Sequence, residues 1–113
     1  MPRLLTALVP LVAFTAVGAT APAARAADRI VFTYTTDAGA ATFKNTTGDR
    51  WVETGGGGTR FYFREVIRNS DFIEIYDASR KVGVRLYKRK ALWRHPDLTD
   101  GEWALLCAGE WAD

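Results

Sequence analysis

Between Thr59 and Lys88 the chain alternates apolar and polar side chains in three successive runs separated by short polar breaks. In residues 59–65, 71–77 and 82–88 the aliphatic and Phe positions Phe61, Phe63, Ile73, Ile75, Val84 and Leu86 share one parity, and most charges take the other. Period-two alternation of this kind predicts an antiparallel meander with one buried and one wet face. The four glycines 55–58, then Asn69-Ser70, then Ala78-Ser79-Arg80 supply its turns.

The pattern extends in both directions. Residues 29–34, rich in β-branched and aromatic side chains, predict a first strand that ends at the small polar stretch 36–39. Residues 41–44 and 50–54 predict the next two. On the far side, Ala91-Leu92-Trp93-Arg94-His95 with Asp100-Gly101-Glu102-Trp103 echoes Ala41-Thr42-Phe43-Lys44-Asn45 with Gly48-Asp49-Arg50-Trp51. The echo suggests strands at 90–94 and 102–107 that close the sheet on its beginning. Thr99 and Glu102 also stand at capping-box spacing, so a short helix through 103–108 is the alternative. The expectation is an all-β domain of about eight strands, mostly up-and-down, as a small barrel or a strongly curved sandwich.

The first 26 residues fit no strand. A charged start at Arg3, an apolar run over 4–17 and Ala24-Arg25-Ala26 read as a secretory signal peptide cleaved after Ala26. The run is too short and too rich in Ala, Thr and Pro for a membrane span. Residues 27–113 then form a single small domain, free and soluble outside the cytoplasmic membrane. With Arg3 and Arg25 removed, Lys and Arg fall from 15 to 13, equal to the 13 acids, so the basic balance belongs to the precursor and gives no support to nucleic-acid binding. The lone Cys107 cannot form an internal disulfide, so stability must come from packing; 13 of the 14 aromatic residues lie after the cleavage point and supply it.

Candidate chemistry is sparse. His95 is the only histidine, and Trp103, Leu105 and Cys107 share one strand parity, which implies a buried thiol rather than a nucleophile. One His and one Cys cannot close a zinc site, the acids do not form a calcium loop, and the glycine run lacks the Lys and Ser/Thr of a phosphate loop. No cofactor or metal is expected. Glu65 continues the parity of Phe61 and Phe63, so its carboxylate needs a partner, and Glu65, Arg68, Asp77 and Arg80 are expected to form structural ion pairs bracing the meander. Asn45-Thr46-Thr47 matches a glycosylation acceptor, a motif common by chance.

The polar face carries Arg60, Tyr62 and Arg64, then Phe72, Glu74 and Tyr76, then Gly83, Arg85 and Tyr87. Glu74 is expected between Arg64 and Arg85, with tyrosines around them. Tyr62, Arg64, Tyr76, Arg85 and Tyr87 are therefore the candidate ligand-binding residues, forming an aromatic and basic platform for a glycan, an anionic envelope polymer or an extracellular protein. The cations Arg80, Lys81, Arg85, Lys88, Arg89, Lys90 and Arg94 extend it, with the following acids available to neutralise part of the run.

The elements Trp51-x-Glu53, Phe63-x-Glu65-x-x-Arg68, Ile73-x-Ile75-x-Asp77-x-Ser79-Arg80, Val84-Arg85-Leu86 and Gly101-Glu102-Trp103 resemble small secreted bacterial β modules that have no assigned activity. The likeness covers nearly all of residues 41–111. It implies a β fold and an extracytoplasmic location, and it assigns no functional residue. The expected function is non-catalytic binding at or beyond the cell envelope; the alternatives are a secreted inhibitor of a hydrolase and, behind it, a small hydrolase using Glu65, Asp77 or His95.

Overall fold

A computed structural model describes residues 29–112, so the proposed signal peptide lies outside the described residues. Eight strands follow one another: β1 Val31–Thr36, β2 Gly39–Thr47, β3 Arg50–Thr54, β4 Arg60–Arg68, β5 Ile73–Asp77, β6 Val82–Leu86, β7 Lys90–Arg94 and β8 Ala104–Ala112. Each pairs antiparallel with the next, and β1 pairs with β8, which closes an up-and-down barrel. Closure leaves no unpaired sheet edge, and it settles barrel over sandwich. The tail is a strand: Glu102 donates its N–H to the Thr99 carbonyl in a turn, and no helix starts there.

One parity of every strand fills the interior. Phe32, Phe43, Trp51, Phe63, Ile73, Ile75, Val84, Leu86 and Ala91 are buried, with Tyr34, Phe61, Val82, Trp93, Cys107 and Trp111 packed around them. An eight-stranded barrel is just wide enough for side chains to fill. Here rings do most of the filling: Phe43 meets Phe63 edge-on at 5.8 Å and Trp111 meets Phe32 and Trp51 at 5.4 and 6.2 Å. All six parity-matched residues of the meander point inward, with Phe61 only partly buried near the rim.

Three one-residue insertions shift the ladder and decide which side chains face out. Asn45 pairs with Trp51 but Thr47 with Arg50; Glu65 pairs with Ile75 but Ile67 with Glu74; Ala91 pairs with Cys107 but Leu92 with Leu105. Each bulge sends its strand's remaining residues to the opposite face. The expected common parity of Trp103, Leu105 and Cys107 therefore fails: Cys107 turns inward, Leu105 and Leu106 are exposed, and Trp103 lies on the outer wall. The echo between the two hairpins fails at the same place, because Trp51 is buried in the core and Trp103 is not.

Candidate functional site

Strand register decides which members of the expected platform meet. Glu74 stands opposite Ile67 on one side and Arg85 on the other, so it is not flanked by Arg64. Arg64 pairs with Tyr76 across the ladder and makes an exposed ion pair with Asp49 at 3.3 Å. Tyr62 stands opposite Val52 and is 67 % exposed. Tyr62, Arg64 and Tyr76 thus share the β4–β5 wall, while Arg85 and Tyr87 belong to a different group of side chains.

That second group forms a continuous ladder up the outer wall of β5, β6 and β7. The Lys90 ammonium lies 5.5 Å from the Tyr87 ring centre, and the Tyr87 ring lies 5.2 Å from Phe72. The Arg85 guanidinium is 4.5 Å from Phe72 and 4.3 Å from Trp103, and Arg94 is 4.5 Å from Trp103. Cations within about 6 Å of a ring centre are attracted by its negative face. Glu74 accepts the Arg85 Nε–H at 2.8 Å and fixes the central rung. Partly offset by burial, that hydrogen bond leaves the guanidinium more firmly protonated than usual. Phe72 stands on the outer wall as its parity with Glu74 and Tyr76 implies, whereas Trp103 was missed as a ladder member because it lies in the connection before β8, where alternation gives no direction. The signal that could have found Trp103 is Gly83: a glycine on the wet parity of a strand invites an aromatic cover, and the Trp103 ring edge lies 3.4 Å from where a Gly83 Cβ would stand.

At the foot of the ladder, Phe72, Tyr87, Lys88, Arg89, Lys90 and Asp71 line a shallow depression of about 580 Å³. The Tyr87 N–H donates to the Lys90 carbonyl at 2.8 Å, a tight turn that presents the three cations together. Among the described residues, Lys88, Arg89, Lys90 and Arg94 form no ion pair, so the acids that follow in sequence do not neutralise them.

The four residues expected as structural ion pairs meet in two pairs. Arg68 donates from Nε and Nη2 to the two oxygens of Glu65, each at 3.0 Å, and Trp51 Nε1–H donates to Glu65 at 3.0 Å. Arg80 Nε donates to Asp77 at 2.6 Å, while the other Asp77 oxygen accepts the Ser79 hydroxyl and two backbone N–H groups. Burial opposes the charged form of both acids, but these hydrogen bonds outweigh it and hold both carboxyls below the usual range. Each carboxylate is committed to its own partners, so the geometry does not offer Glu65 and Asp77 as a catalytic pair.

A further interior cluster was not foreseen. Tyr34 O–H donates to Glu53, whose other oxygen lies 4.0 Å from Arg80 Nη2. Burial raises the Glu53 carboxyl above its ordinary value, against the lowering effects of Tyr34 and Arg80, and it raises the Tyr34 phenol as well.

His95 organises the loop between β7 and β8. Its Nδ1 accepts the Asp97 and Leu98 N–H groups at 3.0 and 3.1 Å, and its carbonyl accepts the Thr99 hydroxyl and the Thr99 and Gly101 N–H groups. The ring is thus a structural hub, and Leu98 at the loop's tip is 72 % exposed. Asn45 spends its amide on the Gly48 and Arg50 carbonyls. Among the described residues no cluster of His, Cys, Asp and Glu is arranged to hold a metal. Comparison with protein-family models, with curated proteins and with solved structures returns no match to this chain.

Proposed function

We propose that this protein is a non-catalytic binding domain that recognises an anionic glycan at or beyond the cell envelope through the outer wall of β5, β6 and β7. The observation that carries the reading is the ladder from Lys90 through Tyr87, Phe72, Arg85 and Trp103 to Arg94, with unpaired cations at both ends. Rings offer apolar faces to the C–H surface of a sugar, and unpaired cations add attraction to its acidic groups. Because Arg85 is held by Glu74 between two rings, the platform is already ordered before a ligand arrives, which reduces the entropy cost of binding.

The test is retention of the purified protein on immobilised polygalacturonate, dextran sulfate, neutral dextran and single-stranded DNA. Retention on the two anionic glycans, lost in Tyr87→Ala and kept in Tyr62→Ala, is the expected result. Equal loss in both variants, or equal retention on DNA, would reduce the wall to a general polyanion surface and overturn the reading.

A second reading has an observation of its own. The His95-centred loop is internally hydrogen-bonded and projects Leu98, as a rigid inhibitory loop projects an anchor residue into a hydrolase. Inhibition of secreted hydrolases that disappears in Leu98→Asp would favour it.

A further inference from the structure

The depression beneath the ladder does not end at the β6–β7 turn. Arg89 borders it and also borders a second depression of about 710 Å³ over the seam where the barrel closes, floored by Thr33, Thr35, Ala40 and Ala108 and limited by Glu110. The turn is tied to that seam, because the Gly109 N–H donates to the Arg89 carbonyl at 3.1 Å. The two hollows are therefore held in fixed relation by the sheet itself. Their chemistry differs: aromatic rings and three unpaired cations against the single Asp71 carboxylate in the first, threonine hydroxyls and small apolar side chains beside Glu110 in the second. Each volume falls within the range of ligand clefts, roughly 300–1,000 Å³.

We infer that the two depressions form one furrow around Arg89, and that its ligand is a polysaccharide chain long enough to occupy both, its acidic groups at Lys88, Arg89 and Lys90 and its hydroxyls over Thr33 and Thr35. The inference rests on the anionic-glycan reading and adds the second subsite and the polymeric nature of the ligand. A chain that fills one hollow is already positioned over the other, so the second contact forms without a further association step. A mono- or disaccharide can use only one of them.

The experiment is calorimetric titration with oligogalacturonides and sulfated oligosaccharides from disaccharide to dodecasaccharide, using the unsubstituted protein, Thr35→Glu, Ala108→Trp and Tyr87→Ala. Thr35 and Ala108 are both exposed, so the substitutions alter the hollow and not the core; circular dichroism confirms the fold of each. Affinity for the long chains should exceed that for the disaccharide by about tenfold or more. Thr35→Glu should repel and Ala108→Trp should block only a ligand that passes the seam, so both should return long-chain affinity to the disaccharide level while leaving disaccharide binding unchanged. Tyr87→Ala should weaken every length. If long and short ligands bind alike, or the seam variants bind the long chains as the unsubstituted protein does, the furrow is wrong while the glycan platform stands. If no length binds, or Tyr87→Ala changes nothing, the platform falls and the furrow with it.

Discussion

The Phe32 ring occupies the space in which a side chain on Gly109 would stand: a Cβ there would lie 2.5 Å from Phe32 Cε1 and 2.5 Å from the Thr33 carbonyl oxygen. Gly109 is where β8 passes from β7 to β1, since residues 104–108 pair with the former and 109–112 with the latter. The barrel closes through a contact that only a residue without a side chain allows. Gly109→Ala should therefore cost about 1–3 kcal/mol, the usual penalty of overpacking a core, because one obstacle is backbone and cannot swing away. Gly83→Ala should cost under about 1 kcal/mol, since its Cβ would meet Trp103 and Arg94 side-chain atoms at 3.4 Å or more. Urea denaturation of the two variants measures the difference; equal midpoints would contradict the account of the seam.

Arg80 joins three groups. It bonds Asp77 through Nε, lies 3.6 Å from the Phe61 ring centre and stands 4.0 Å from Glu53. Removing it leaves two carboxylates that are largely shielded from water without their cation, so Arg80→Ala should destabilise the protein by about 2–3 kcal/mol, the scale of hydrogen bonds to charged groups. Arg80→Lys should recover less than half of that, because an ammonium has no Nε to offer Asp77 and no flat face for Phe61. Full recovery in Arg80→Lys, read from thermal midpoints, would show that charge alone matters there.

The arrangement around Arg80 was half legible in the sequence. The turn at Ala78-Ser79-Arg80 and an ion pair of Asp77 with Arg80 were expected, and both are present; the Asp77 carboxylate also caps the Ser79 and Arg80 N–H groups from a buried position, which was not foreseen. Glu53 and Tyr34 were not foreseen, because their contact joins β3 to β1 across the lumen, and alternation tells only which face a residue takes. The expected flanking of Glu74 by Arg64 failed for a related reason. Alternation gives a residue's face and not its register: Arg64 stands opposite Tyr76, so Glu74 meets Ile67 beyond the extra residue Val66, and the extra residue Leu106 puts Cys107 on the face opposite to Leu105. Neither bulge is marked by glycine, so neither left a trace in composition. Phe72, Arg85 and Tyr87 entered the ladder as expected members of the wet face, whereas Trp103 came from a connection whose direction only closure of the barrel determines.

The interior acids give the stability a pH dependence with two opposed parts. Glu65 and Asp77 have folded-state pKa values below those of the unfolded chain, so they bind protons less readily when folded. Their contribution is complete above the ordinary carboxylate range of about 4 and is lost as pH falls through their folded values. Glu53 has the opposite sign. Its raised carboxyl holds its proton more firmly in the folded state, so its ionisation costs stability as pH rises from the ordinary value through the folded one. The urea midpoint should therefore fall steeply below about pH 4, a fall that Glu65→Gln with Asp77→Asn flattens. Glu53→Gln should leave that acid limb in place and remove the decline on its neutral side. An acid limb of unchanged slope in the double variant would show that other groups govern it.

Cys107 faces the interior opposite Ala91 and is half-buried. Burial, reinforced by the nearby Glu53 carboxylate and only partly relieved by a backbone hydrogen bond from Ala91, pushes its thiol up to about 11. The thiolate is the reactive form, and an ordinary thiol has a pKa near 8.5. At pH 8 the folded protein should thus hold roughly a hundredfold less thiolate than the unfolded chain, before any steric protection by the barrel wall. Iodoacetamide should alkylate native Cys107 at least about a hundredfold more slowly than Cys107 in urea, and non-reducing gels of the native protein should show no disulfide-linked dimer. The rates should converge in Glu53→Gln only in part, because desolvation, the larger cause, remains when the carboxylate is gone. Native and denatured rates within tenfold of each other would mean that Cys107 is turned to solvent, and the inward flip produced by the β8 bulge would have to be abandoned.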